Sequence, residues 1–294
     1  MPQVRLPQGT LHYREAGSGT RTIVFLHGYL MDSRLWDGVM ARLDGEFRCI
    51  ALDLPLGAHR EPMNRGADLS LRGLGALVAD ALQALDLRDV TLVGNDSGDA
   101  IAQVVAGWHP ERLGRLVLTP GDCFDNCPPE GFRSLPNLAR IPGAVALGLR
   151  TLRFRPLRAL PFTYGLLTRG RLPHDLIDDW IAAFRSAPGI ARDCAEVTRN
   201  LGPATTREAA LRLAGFTKPA LLAFAPEDRL FPFVHAELLA ALMPDARVER
   251  IEGSRTWVML DQPERTAAVI RDFVRATTDG PALSTGEQPE TARR

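Results

Sequence analysis

Six short strand-like segments punctuate the chain, five of them almost unbroken apolar runs at residues 22–26, 47–52, 90–93, 116–119 and 220–225, and a more polar one at 247–251. Their length and their valine, isoleucine and leucine content suit strands better than helices. Between them, at 33–43, 69–87, 99–108, 235–243 and 263–275, apolar residues recur with the period of a helix that buries one face. Strands that are apolar on both faces and separated by helices belong in a mostly parallel sheet covered on both sides. Ahead of them Val4, Arg5 and Leu6 face Leu11 to Arg14 across Gln8 and Gly9, which predicts an opening hairpin and brings the strands to eight.

The alternation stops at Gly121 and resumes at Lys218 and Pro219. The stretch between them has helical patterns and no strand pattern. A helical insertion at the carboxyl end of the sixth strand is expected over the active-site face, as a lid. The predicted division is a core of 1–121 and 215–276, a lid of 122–214 and a disordered, polar tail of 277–294.

Composition narrows the function classes. A 45% hydrophobic content over 294 residues supports one large α/β domain with an insertion. The 35 basic and 35 acidic residues cancel, so neither nucleic acid nor a membrane is expected as a partner. The charge is unevenly spread, because 122–214 holds thirteen arginines against nine acidic residues. Residues 1–10 lack an apolar signal segment and no apolar run is long enough to span a bilayer, which predicts a cytoplasmic protein. Cys49, Cys123, Cys127 and Cys194 have no zinc spacing and read as reduced structural thiols. Glycine-rich phosphate loops are absent, and no cofactor or metal is implied.

The chemistry concentrates at Val90 to Gly98, where a strand runs directly into a helix. Gly94 and Gly98 stand two residues either side of Asp96. At such a sharp turn the flanking positions must be tiny, or their Cβ atoms strike the strand and helix. Centring the turn on Ser97 would put Asn95 and Asp99 there. The turn therefore reads as a nucleophile elbow that displays the carboxylate of Asp96.

Four segments in this order resemble the α/β-hydrolase superfamily over about Val4 to Arg275. They are Phe25 to Tyr29 after the first central strand, the elbow at Asp96, Ala225 to Asp228 after a late strand, and Asp261 to Glu264 opening the last helix. An elbow aspartate resembles the branch of haloalkane dehalogenases and epoxide hydrolases. The resemblance implies that Asp96 attacks carbon to form an ester, and that an acid, here Asp228, assists a histidine in activating water. It also implies an oxyanion hole from the amides of Tyr29 and Ser97, shaped by His27 and Gly28.

The chain departs from that pattern. Counting back from Gln262, Pro263 and Glu264 puts Thr256 where the family carries its histidine, and threonine does not titrate near neutrality. Of six histidines, His59 lies on the loop leaving a central strand on the elbow face. It reads either as a group approaching Asp96 or as a solvated loop histidine. Ser97 replaces the tryptophan that dehalogenases place after the nucleophile. Epoxide hydrolases use two lid tyrosines, whereas this lid has Tyr164 alone. Tyr164, Trp180, Phe184 and Trp257 are candidate pocket aromatics, with packing as the other reading of each. Arg150, Arg153, Arg155 and Arg158 form either a solvated face or a contact for an anionic substrate group or acidic carrier.

The sequence thus predicts an enzyme on a small or medium organic substrate, with Asp96 as the reacting carboxylate. The reaction is epoxide- or ester-like hydrolysis, or acid/base elimination or ring-opening. A non-catalytic ligand-binding protein of the same fold is the alternative.

Overall fold

A computed structural model describes residues 1–278. Strands β1 (Gln3–Leu6) and β2 (Gly9–Ala16) form the expected hairpin, with Leu6 opposite Gly9. Then follow β3 (Thr22–Leu26), α1 (Asp37–Leu43), β4 (Arg48–Leu52), α2 (Leu71–Ala84), β5 (Val90–Asp96), α3 (Ser97–Trp108) and β6 (Leu113–Gly121). After the inserted helices come β7 (Ala220–Phe224), α9 (Val234–Leu242), β8 (Ala246–Arg250), α10 (Val258–Asp261) and α11 (Pro263–Thr278). The strands make one eight-stranded sheet in the order β1-β2-β4-β3-β5-β6-β7-β8. Only the pairs made by β2 are antiparallel; from β4 to β8 the sheet is parallel.

Alternation within the apolar runs explains the two covered faces. In β3, Val24 and Leu26 join the core beneath α2 and α3, while Ile23 and Phe25 join the core beneath α1 and α11. Element ends differ from expectation where capping or sheet geometry decides. Ser70 caps α2 by accepting a hydrogen bond from the Gly73 amide at 3.1 Å, so the helix starts at Leu71. Helix α3 starts at Ser97, two residues before its periodic pattern, because β5 reaches Asp96 with no loop between them.

Between β6 and β7 lie α4 (Leu135–Leu138), α5 (Ala144–Thr151), α6 (His174–Ser186), α7 (Pro188–Asn200) and α8 (Pro203–Arg212). Helix α8 packs with α3, and Ala209 and Ala210 belong to the main core. Segments from 128 to 167, which include α4 and α5, wall the cavity described below. All four cysteines are free and buried. The predicted tail overlaps α11 at 277 and 278, and the rest of it lies outside the described residues.

Candidate active site

Asp96 ends β5 with φ 56° and ψ −127°, a left-handed conformation that costs a non-glycine residue about 1–3 kcal/mol. Its neighbours leave no room for side chains. A Cβ on Gly94 would lie 2.5 Å from the Gly98 carbonyl oxygen, and one on Gly98 would lie 2.5 Å from that of His27. A register shift between Gly94 and Asp96 against β6 bends the strand end and sets Asp96 opposite Gly121.

The Asp96 carboxylate sits between two backbone donors. Its Oδ1 accepts from the Tyr29 amide at 3.0 Å and the Ser97 amide at 2.7 Å. Such close approach requires Gly28, where a Cβ would stand 2.4 Å from the Asp96 Cβ. His27 sets this turn. Its Nδ1–H donates to the Gly28 carbonyl at 2.8 Å and its Nε2 accepts from the Leu54 amide at 2.8 Å. Burial lowers the His27 pKa, and both bonds suit the neutral ring.

An apolar cavity of about 310 Å³ opens over this point. Asp96, Ser97, Asp122, Tyr29 and Tyr164 supply polar groups, and residues such as Leu138, Leu149, Phe162 and Phe231 supply the walls. Both tyrosine hydroxyls are engaged in the protein: that of Tyr29 lies 2.6 Å from the Thr198 hydroxyl, and that of Tyr164 donates to the Leu30 carbonyl at 3.2 Å.

Three carboxyl groups cluster around Ser97. Asp122 Oδ2 accepts from the Ser97 hydroxyl at 3.1 Å, and Asp99 Oδ2 accepts from Gln103 at 2.7 Å. The other oxygen of each is buried without a partner. Burial, then the neighbouring Asp96 charge, pushes Asp122 well above the usual carboxylate range. Burial also raises Asp99 strongly, and it raises Asp96 against the pull of its two amide donors. Sequence reading missed Asp99 and Asp122. The one available signal was the position of Asp122 immediately after a strand carboxyl end, and it was read only as the first lid residue.

Thr256 and Asp228 are brought together behind the elbow. Asn95 ties Thr256 to the end of β5 by donating from Nδ2 to the Thr256 carbonyl at 2.8 Å. Asp228 Oδ1 accepts from the Leu230 and Phe231 amides at 2.7 and 2.9 Å. The Thr256 hydroxyl faces Asp228, yet Thr256 Oγ1 and Asp228 Oδ2 are both buried without a well-aligned hydrogen bond. Burial pushes Asp228 up to about 6.

That shift has a testable sign. Below pH 4 Asp228 is protonated in both states and its share of stability is complete. Between pH 4 and about 6 the unfolded chain ionises first, so stability falls as pH rises. Asp228→Asn keeps the acceptor for both amides and removes this penalty. Its melting temperature at pH 7 is expected to rise by several degrees, with little gain at pH 4. Equal shifts at both pH values would show that ionisation of Asp228 carries no penalty.

Other candidates fall elsewhere. His59 does not border the cavity; it is buried with Nε2 at 3.3 Å from Asp193 Oδ2, because the insertion's α7 brings Asp193 over its loop. Trp180 and Trp257 pack with Tyr164, with ring centroids 5.7–6.0 Å apart, and Phe184 joins a small core under α5 and α7. Only Tyr164 of the four aromatics lines the cavity. Arg158 is fully buried, with Nε donating to the Leu152 carbonyl at 2.6 Å and an ion pair to Asp178. Arg155 pairs with Asp175 and Asp178, whereas Arg150 and Arg153 line a separate outer groove.

A parallel sheet, a sharp strand-to-helix turn at the cavity floor and a helical insertion above it define the α/β-hydrolase class. Residues 23–269 match the alpha/beta hydrolase family, and the chain belongs to that family as a hydrolase-like enzyme. An uncharacterized protein of Mycobacterium tuberculosis is 29% identical over 90% of this chain and 78% of its own length. The 2-hydroxy-6-oxononadienedioate/2-hydroxy-6-oxononatrienedioate hydrolase of Paraburkholderia xenovorans is 26% identical over 92% of this chain and 94% of its own. A putative ancestral haloalkane dehalogenase superposes with a TM-score of 0.77 at 21% identity, covering 95% of this chain and 99% of the other.

Proposed function

We propose that the chain opens a small or medium, largely apolar electrophile such as an epoxide, with Asp96 as nucleophile and Asp122 as general acid. The observation that carries this reading is the Asp96 carboxylate, displayed at the cavity floor with Oδ1 held by two amides. Its Oδ2 is then the atom left to attack carbon. As the Asp96–carbon bond forms, the carbon–oxygen bond of the epoxide breaks, and the leaving oxygen takes the proton of Asp122. Burial and the neighbouring Asp96 charge both favour the protonated form of Asp122, which suits it to a role the engaged hydroxyls of Tyr29 and Tyr164 fill poorly.

The product of this step is a hydroxyalkyl ester on Asp96 and an ionised Asp122. The ester carbonyl oxygen stays between the Tyr29 and Ser97 amides, where an oxyanion would form when water attacks. Hydrolysis of the ester then releases one proton, which restores the protonated Asp122 for the next cycle. Thr256 contributes no proton acceptor of its own, so this second step is the slow one.

The test is a turnover screen on epoxides, haloalkanes and esters, read by product formation. Asp122→Asn is expected to slow epoxide opening by about a hundredfold or more, while an activated ester, whose leaving group needs no proton, loses much less. Equal losses on both substrates would remove Asp122 from the acid role. A second reading, a ligand-binding protein without turnover, draws support from one fact: among the described residues, no histidine borders the cavity. Thermal stabilisation by cavity ligands with no turnover across the screen would favour it.

A further inference from the structure

Residues 131–173, spanning α4 and α5, hold eight arginines and no aspartate or glutamate. Nine large hydrophobic side chains stay exposed among the described residues, and five fall within this stretch: Leu138, Ile141, Leu147, Phe154 and Phe162. One exposed leucine is ordinary, but a local concentration alternating with cations marks an interaction face. Leu147 is 65% exposed and Phe162 61%. Leu138, Gly148, Thr151 and Phe162 border the apolar cavity, so the exposed stretch is its outer rim.

The arginines divide by use. Arg155 and Arg158 pair with acidic residues of α6. Among the described residues, no carboxylate lies within ion-pair distance of Arg133, Arg140, Arg150 or Arg153. Arg150 and Arg153 converge with Arg185 on a groove of about 590 Å³ that no acidic residue among the described ones lines.

We propose that this rim docks on an anionic lipid bilayer. Ile141, Leu147, Phe154 and Phe162 enter the boundary between headgroups and acyl chains, and Arg140, Arg150 and Arg153 engage lipid phosphates. A nucleic acid would satisfy the arginines and leave the apolar side chains wet, whereas a lipid interface takes both. Docked this way, the apolar cavity opens toward the bilayer. No helix among the described residues is long and apolar enough to cross a membrane, so the association is peripheral. The balanced total charge hides the face, because it averages this segment with a compensating acidic remainder. The docking does not depend on the chemistry at Asp96.

Co-sedimentation of the full chain tests it, using phosphatidylcholine vesicles with and without about one third phosphatidylserine. Binding is expected to the anionic vesicles only, and to weaken at high salt. The triple variant Arg140→Glu, Arg150→Glu, Arg153→Glu is expected to lose it by at least tenfold, since each cation near the surface contributes about fivefold. Leu147→Ser with Phe154→Ser is expected to weaken binding while leaving the salt dependence. All five positions are exposed, and circular dichroism checks that each variant folds. No sedimentation of the unsubstituted protein with anionic vesicles overturns the proposal. So does self-association in solution that Leu147→Ser with Phe154→Ser abolishes, because a second copy would then cover the face.

Discussion

Intact-mass spectrometry after incubation with a reactive terminal epoxide is expected to show one added substrate mass, mapped to Asp96, that persists for many turnovers' worth of time. The two halves of the reaction draw on different groups. Attack needs a carboxylate held in place and an acid for the leaving oxygen, the roles proposed for Asp96 and Asp122 at the cavity floor. Release needs a base for water, and Thr256, which the count back from Gln262 aligns with the family's histidine, cannot serve as one. Loss of a positioned base typically costs a factor of about 10² to 10⁴, so formation outruns release. Asp96→Asn retains an oxygen acceptor for the Tyr29 and Ser97 amides and is expected to abolish the adduct, with at least a thousandfold loss of any turnover. The same substitution removes a buried charge that burdens Asp122, so the variant should melt no lower than the parent at pH 7. Rapid multiple turnover without an adduct would exclude the covalent route.

Thr256→His is expected to shorten the lifetime of that adduct by about a hundredfold. Asn95 already fixes the Thr256 backbone beside the elbow, and Asp228 presents a buried Oδ2 without a partner. An imidazole at 256 can donate to that oxygen and turn its other nitrogen toward a water near the Asp96 ester. Release should then rise with pH through the imidazole range, near 6.5. Asp228→Asn in the same background should remove most of the gain, because the two groups act as one unit. The comparison requires a folded variant, checked by its melting temperature, since position 256 is fully buried and histidine is larger than threonine. A folded Thr256→His protein with an unchanged adduct lifetime would show that the lost histidine is not what limits release.

Local rules made much of the architecture readable. The apolar runs of β3 to β7 are buried on both faces, a property carried by the residues themselves, and their alternation with helices left a parallel sheet as the consistent arrangement, with the polar, half-exposed β8 at its edge. The elbow was equally legible, since the glycine spacing around Asp96 follows from the space one turn allows. The insertion was less so. Its arginines look alike in sequence, yet Arg158 is buried against Asp178 while Arg150 and Arg153 face an outer groove. Likewise His59 and Asp193 are 134 positions apart, and nothing local shows that α7 will cover that loop.

What the sequence determined by itself was the class of sheet, the point where a carboxylate is displayed, and the absence of imidazole at 256, because each depends on spacing along a few residues. The tertiary structure decided which groups share the cavity. Asp122 stands beside Ser97 only because β6 pairs with β5, and the rise in its pKa comes from burial and from Asp96, across a sheet register that no short stretch of sequence encodes.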